Sequence, residues 1–327
     1  MSKHASLLTD WIDRGSIAAQ DIDAALRLGG LRPDTDAWQK LLDRMLLWLG
    51  VLALSAAVTF FIAFNWEALG KFAQFALVQG LVLLALFAYW RCSDRPRIAE
   101  AALLAAALLL GTLLALVGQT YQTGADTWQL FATWAVLMLP WALLGRSAVL
   151  WLLWLALLDL ATVLWFQLRP GGLWMLFTPW EQMLWALFAL NTIAWVVWEW
   201  AVHRGSSELP ATSRWPQRLL AVASGTCITI LVLVSLFEGD SSALLSWLVY
   251  GLWVAAVYFL FRLRWPDLFV LAGAAFSLIV TLNAALGRLV SEVDDTGITF
   301  LLLTCTTIGS AGYAAVWLRR LHREFES

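Results

Sequence analysis

Ten stretches of about twenty predominantly apolar residues alternate with short polar punctuation, approximately at 45–64, 72–90, 98–118, 128–145, 147–166, 180–202, 217–236, 243–261, 266–286 and 297–318. A helix needs ~20 such residues, at ~1.5 Å each, to cross ~30 Å of hydrocarbon. The pattern predicts an all-α fold, a polytopic transmembrane helical bundle of about ten spans over residues 45–327. Only "GRS" separates the fourth span from the fifth. Pro140, Gly145 and Arg146 break what would otherwise be one very long helix, so a tight helical hairpin is expected there.

Residues 1–44 follow a different rhythm. "LLTDWIDRGSIAAQDIDAALRLGG" reads as helix, glycine turn and second helix, with Leu7, Leu8, Trp11 and Ile12 on one face and Ile22, Ala25 and Leu26 on another. Gly15 supplies a left-handed stop, and Ser16 is placed to cap the following helix. "RPDTDAWQKLLDRM" then leads into the first span. This segment is too short for a core of its own, so it is expected to pack on the membrane surface, on loops or on a partner.

Composition agrees with lipid as the solvent. The chain is 61% hydrophobic and 13% charged, against about 25% charged in average soluble domains, and its mean hydropathy is +0.75. A net charge of -2 argues against a nucleic-acid partner. The first apolar run begins near Met45, too late for a typical cleaved signal peptide. Cys92, Cys227 and Cys305 are scattered and form no CxxC pair, so no metal site or disulfide frame is expected. His4, His203 and His322 all fall outside the apolar runs, which excludes a haem held by two intramembrane histidines. No Walker loop, dinucleotide fingerprint, GxSxG elbow or HExxH is present. No cofactor is therefore expected, and an ATP-driven pump or common hydrolase is disfavoured.

Lys and Arg set the expected orientation. With an inside N-terminus, eighteen of the 21 basic residues fall in inside segments, and only Lys71, Arg169 and Arg288 fall outside. Both termini are then expected in the cytoplasm, with the chain in the inner membrane. Many of the 22 Trp residues lie near predicted helix ends, among them Trp48, Trp90, Trp180, Trp200 and Trp265. That is the pattern of an aromatic belt at the headgroups.

Three motifs carry a family likeness: "WIDRGSI" before a short helix, "FIAFNWEALGKF" after the first span, and "LVGQTYQTGADTWQLFATWAVLMLPWALLG" across the third and fourth. Over approximately residues 5–145 the chain resembles the bacterial predicted membrane proteins grouped as domain of unknown function 2157. The resemblance implies a multi-pass inner-membrane protein and brings no activity with it.

Two groups of polar residues are candidates for chemistry. On the outer side, Gln119, Tyr121 and Asp126 of the turn after the third span, with Asn65, Trp66 and Glu67 of the neighbouring outer loop, would form a shallow outward-facing pocket for a small ligand or lipid. The bland reading of that turn is structural: Gly124 turns the chain, and Asp126 three before Gln129 has capping-box spacing. Within the membrane, Asp159 sits deep in the fifth span, where an ionised carboxylate costs ~2.5 kcal/mol or more. It must find a partner, such as Asn191 or Asn283 on another helix, or take up a proton. Transport, or binding of a small ligand or lipid, is the working function. The alternative is a non-catalytic membrane scaffold that docks a membrane-protein partner through its N-terminal helices or outer loops. Transport predicts a continuous polar path and broken helices, whereas a scaffold predicts a sealed core.

Overall fold

The computed structural model describes residues 8, 11–12, 14–28, 35–65, 69–168, 179–204, 214–238, 243–290 and 296–326. Among them every regular element is a helix: α1 (Ile22–Leu28), α2 (Thr35–Phe64), α3 (Lys71–Arg91), α4 (Pro96–Tyr121), α5 (Thr127–Gly145), α6 (Ala148–Leu168), α7 (Pro179–His203), α8 (Trp215–Glu238), α9 (Ala243–Phe259), α10 (Leu268–Val290) and α11 (Thr296–Glu326). Among the described residues, ten helices are long and apolar enough to span a bilayer. The protein is an all-α, multi-pass membrane protein.

The span limits read from hydropathy hold to within a few residues, except at ends where polar residues continue a helix. The lead-in "TDAWQKLLDR" and the first span form one 30-residue helix, α2. At ~1.5 Å per residue α2 is longer than the hydrocarbon is thick, so its first turns project beyond it. The last span likewise runs on to Glu326. Near the N-terminus, Gly15 adopts φ +67°, the expected left-handed stop. Ser16 is not the cap of the next helix, which starts only at Ile22. A separate turn intervenes, closed by the Asp21 N–H on the Ala18 carbonyl, and the Asp21 carbonyl then accepts from Ala25. The first half of the expected N-terminal hairpin lies largely outside the described residues.

The chain divides into two compact units, Met1–Leu116 and Val117–Ser327. In the first, Ile62, Val78 and Leu116 form a small buried cluster with Val58, Phe75 and Leu113 packed on it. The hydroxyls of Thr59 and Thr112 meet at 2.8 Å beside it. Ala107 and Gly111, spaced for close helix approach, are both buried.

In the second unit, α5 and α6 form the expected hairpin. Arg146 turns the chain in the left-handed region at φ 45°, and Ser147 Oγ accepts the Val149 N–H at 3.2 Å to start α6. Pro140 lies inside α5 and does not end it. The main core is built by α6 to α11 around Trp195, Trp198, Ile228, Leu231, Trp253 and Leu271. These tryptophans are buried packing residues. Trp195 stacks on Phe261 at 5.2 Å between ring centroids. The helix α9 passes into one π turn, Leu260–Arg264, before α10 begins.

Candidate functional site

Helices α7 and α8 are antiparallel neighbours, which brings the last turn of α7 against the first turn of α8. Glu199 occupies that last turn, and its side chain is 5% exposed. Arg214, just before α8, donates to Glu199 Oε1 at 3.1 Å. Asp267 precedes α10 and caps it, with Oδ1 accepting the Phe269 N–H at 3.0 Å. Its side chain is 1% exposed, and its other oxygen takes Arg214 Nε at 3.3 Å and Arg218 Nε at 3.2 Å. Two buried carboxylates are thus joined through one shared guanidinium, with a second arginine on Asp267. Burying such charges is tolerable only when each is paired and hydrogen-bonded.

His203 completes the cluster. Its Nδ1 lies 2.7 Å from the Glu199 backbone carbonyl and 3.5 Å from Glu199 Oε2, an oxygen with no hydrogen-bond partner among the described residues. The imidazole packs on Trp265 at 4.3 Å between centroids. At the same end Arg262 bonds the Tyr258 hydroxyl and pairs with Glu324 of α11 at 3.7 Å.

Deeper in the same unit the polar residues form rungs between helices. About 12 Å in from Glu199, at 1.5 Å per residue, Asn191 donates to Asp159 Oδ1 at 2.9 Å and to the Leu187 carbonyl at 3.0 Å. Thr192 meets Ser224 at 2.7 Å, and the Trp253 indole donates to the same hydroxyl at 3.2 Å. Further along, Ser277 bonds Thr229 at 2.6 Å and Tyr250 at 2.9 Å, and Thr281 donates to Tyr250 at 3.2 Å. Asn283 accepts from Thr306 at 3.0 Å and Thr307 at 2.8 Å, clasping α10 to α11. Of the two partners named for Asp159 from sequence, Asn191 is the one beside it, and Asn283 serves a different helix pair.

The outer-loop residues divide between the units. In the first, Asn65 folds its side-chain amide back onto the Phe61 carbonyl at 2.9 Å, while its own carbonyl accepts from Leu69. Trp66 and Glu67 lie outside the described residues. In the second, Gln119, Tyr121 and Asp126 are exposed along one turn. Gln122 and Gly124 both take positive φ, 44° and 64°. Asp126 is the N-cap of α5, and Gln129 Oε1 accepts its backbone N–H at 3.2 Å. The turn's geometry is therefore accounted for by chain reversal and capping. Among the described residues no group of His, Cys, Asp and Glu has the arrangement of a metal site.

The buried ionic cluster is absent from the sequence-derived candidates. Counting Lys and Arg for orientation passes over Glu199 and Asp267, because acids weigh little in that rule. The available signal was an acid in the last turn of one apolar run and another just after Pro266, each beside arginines.

These features define a polytopic helical membrane protein whose second unit is held by interhelical polar pairs and one buried ionic cluster. The family described as predicted membrane protein (DUF2157) matches residues 9–151. No curated protein and no solved structure matches the chain.

Proposed function

We propose that the protein is a non-catalytic scaffold of the bacterial inner membrane, with both termini in the cytoplasm, that docks a membrane-protein partner. One observation carries the reading. In the second unit several polar side chains within the spans pair across helices, Asp159–Asn191, Thr192–Ser224, Thr229–Ser277 and Asn283–Thr306 among them. Groups paired in this way meet their hydrogen-bonding needs within the protein, without water. The helical interruption described there, the π turn at Leu260–Arg264, lies at a helix end next to the ionic cluster and not at mid-span. The termini are assigned by the imbalance of basic residues between alternate loops.

Transport is the competing reading, and half-buried Asp159 at mid-span is what favours it. Thiol labelling separates the two. Cysteines placed one at a time at Ser224, Ser277 and Thr281, in a background lacking Cys92, Cys227 and Cys305, are treated in sealed vesicles with a membrane-impermeant maleimide from either side. A scaffold leaves all three unlabelled until detergent is added. Rapid labelling from one side means a water path reaches the rungs, and the scaffold reading falls.

A further inference from the structure

Helices α8 and α10 are parallel, since Arg218 meets Asp267 near their starts and Thr229 meets Ser277 further along. Between them runs a groove of about 340 Å³, floored by Gly225, Ala274 and the Trp253 ring and walled by Val222, Phe269 and Phe276. Gly273 and Phe276 are exposed, so the groove opens sideways at the depth of the hydrocarbon. Its lining is almost wholly apolar. At its head stands Arg218, with its guanidinium over the Phe269 ring at 5.4 Å and its side chain 43% exposed.

We infer that this groove seats one acyl chain of an anionic phospholipid, whose phosphate lies against Arg218. The shape suits a flexible chain, because the glycine-lined floor removes side chains that would otherwise fill it. The charge suits an anion. Arg218 and Arg214 flank Asp267 on their inner sides and keep outward surface free, at 43% and 34% side-chain exposure. The first turns of α8 and α10, the positive ends of their dipoles, open on the same place. Arg204, Arg262 and Arg264 also stand at this end, so among the described residues the basic groups here outnumber Glu199, Asp267 and Glu324. Basic pockets between spans, where phosphate and acyl chain are held together, are a recurring mode of lipid recognition.

Photo-cross-linking of the full-length protein in liposomes tests this. The probes are phosphatidylglycerol and phosphatidylcholine carrying a diazirine at mid-chain, and adducts are mapped by peptide mass spectrometry. Adducts are expected between Val222 and Leu233 and between Phe269 and Val280, with phosphatidylglycerol favoured about fivefold. Arg218→Gln should abolish that preference and Arg218→Lys should keep it. Gly273→Leu should remove the adducts; a Cβ at Gly273 meets nothing within 4 Å, and the rest of the side chain would occupy the groove mouth. If Arg218→Gln does not fold, the wild-type lipid comparison and Gly273→Leu still decide. Equal labelling by the two lipids, or adducts that survive Gly273→Leu, overturns the inference. A disulfide between copies carrying Thr226→Cys overturns it too, by showing that a second chain fills the groove.

Discussion

Removing Arg214 should damage the second unit more than neutralising Asp267, although the two touch. Arg214→Gln leaves Glu199, 5% exposed, with no arginine partner among the described residues and with His203 Nδ1 at 3.5 Å. It also leaves Asp267, 1% exposed, with Arg218 as its charged partner among the described residues. Stranding a buried charge costs about 3–5 kcal/mol. Arg214 is itself 34% exposed, and solvent already screens part of its attraction, so the loss belongs near the lower end, about 3 kcal/mol. Asp267→Asn is milder for three reasons. Asparagine caps a helix as well as aspartate does. The buried charge itself disappears. Arg214 keeps Glu199, and Arg218, 43% exposed, can turn to water. The cost is then about 1.5 kcal/mol, the value of one charge-assisted hydrogen bond. Reversible unfolding in mixed micelles, with a rising fraction of dodecyl sulfate and circular dichroism as readout, measures both. Adding Glu199→Gln to Arg214→Gln should recover about 1–3 kcal/mol, the coupling expected of residues in direct contact. If Asp267→Asn costs as much as Arg214→Gln, or if the double variant is simply additive, the shared guanidinium does not organise this end of the unit.

Five further substitutions are read in the same assay. Asp159→Asn should cost less than about 1 kcal/mol, because Asn191 can still donate to an amide oxygen, whereas Asp159→Leu leaves buried Asn191 only the Leu187 carbonyl and should cost about 1–2 kcal/mol. Gly225→Ala puts a Cβ 3.0 Å from the Trp253 ring, whose indole is tethered to Ser224, and should cost about 1–3 kcal/mol, while Gly273→Ala should stay within about 0.5 kcal/mol. Ser277→Ala removes partners from both Thr229 and Tyr250 and should cost about 1–2 kcal/mol; a neutral result would mean that these hydroxyls re-pair locally.

The spans were readable because lipid demands one thing of every helix crossing it, an unbroken apolar length, and that property is local. Turn chemistry was readable for the same reason. Gly15, Gly124 and the Asp126–Gln129 pair act within four residues of themselves. The ionic cluster was not readable. It gathers Glu199, Arg214 and Asp267 from three separate chain segments, and hydropathy does not say which helix ends meet. Asp159 lies between these cases. Its depth required a partner, but its span is apolar almost all round, so the sequence could not choose between Asn191 and Asn283. The exposed trio Gln119, Tyr121 and Asp126 looked like a site because polar residues between greasy runs are conspicuous. Reversing the chain and starting α5 is enough to explain the shape of that turn.

Apolar helices gain little from one another in lipid, so their relative register must be set by close packing and by the few polar pairs. The pairs between α8 and α10 set it twice. Arg218 meets Asp267 at a chain separation of 49, and Thr229 meets Ser277 at a separation of 48. A slide of one helical turn, ~5.4 Å, breaks both at once and drags buried Asp267 away from Arg214 as well. Trp253, packed on Gly225 and bonded to Ser224, blocks the same motion from α9. A carrier that rocked α8 against α10 would have to break all of these contacts in each cycle. A scaffold needs them unbroken, and in a parallel pair held at one register the groove between the two helices keeps a constant shape for whatever settles there.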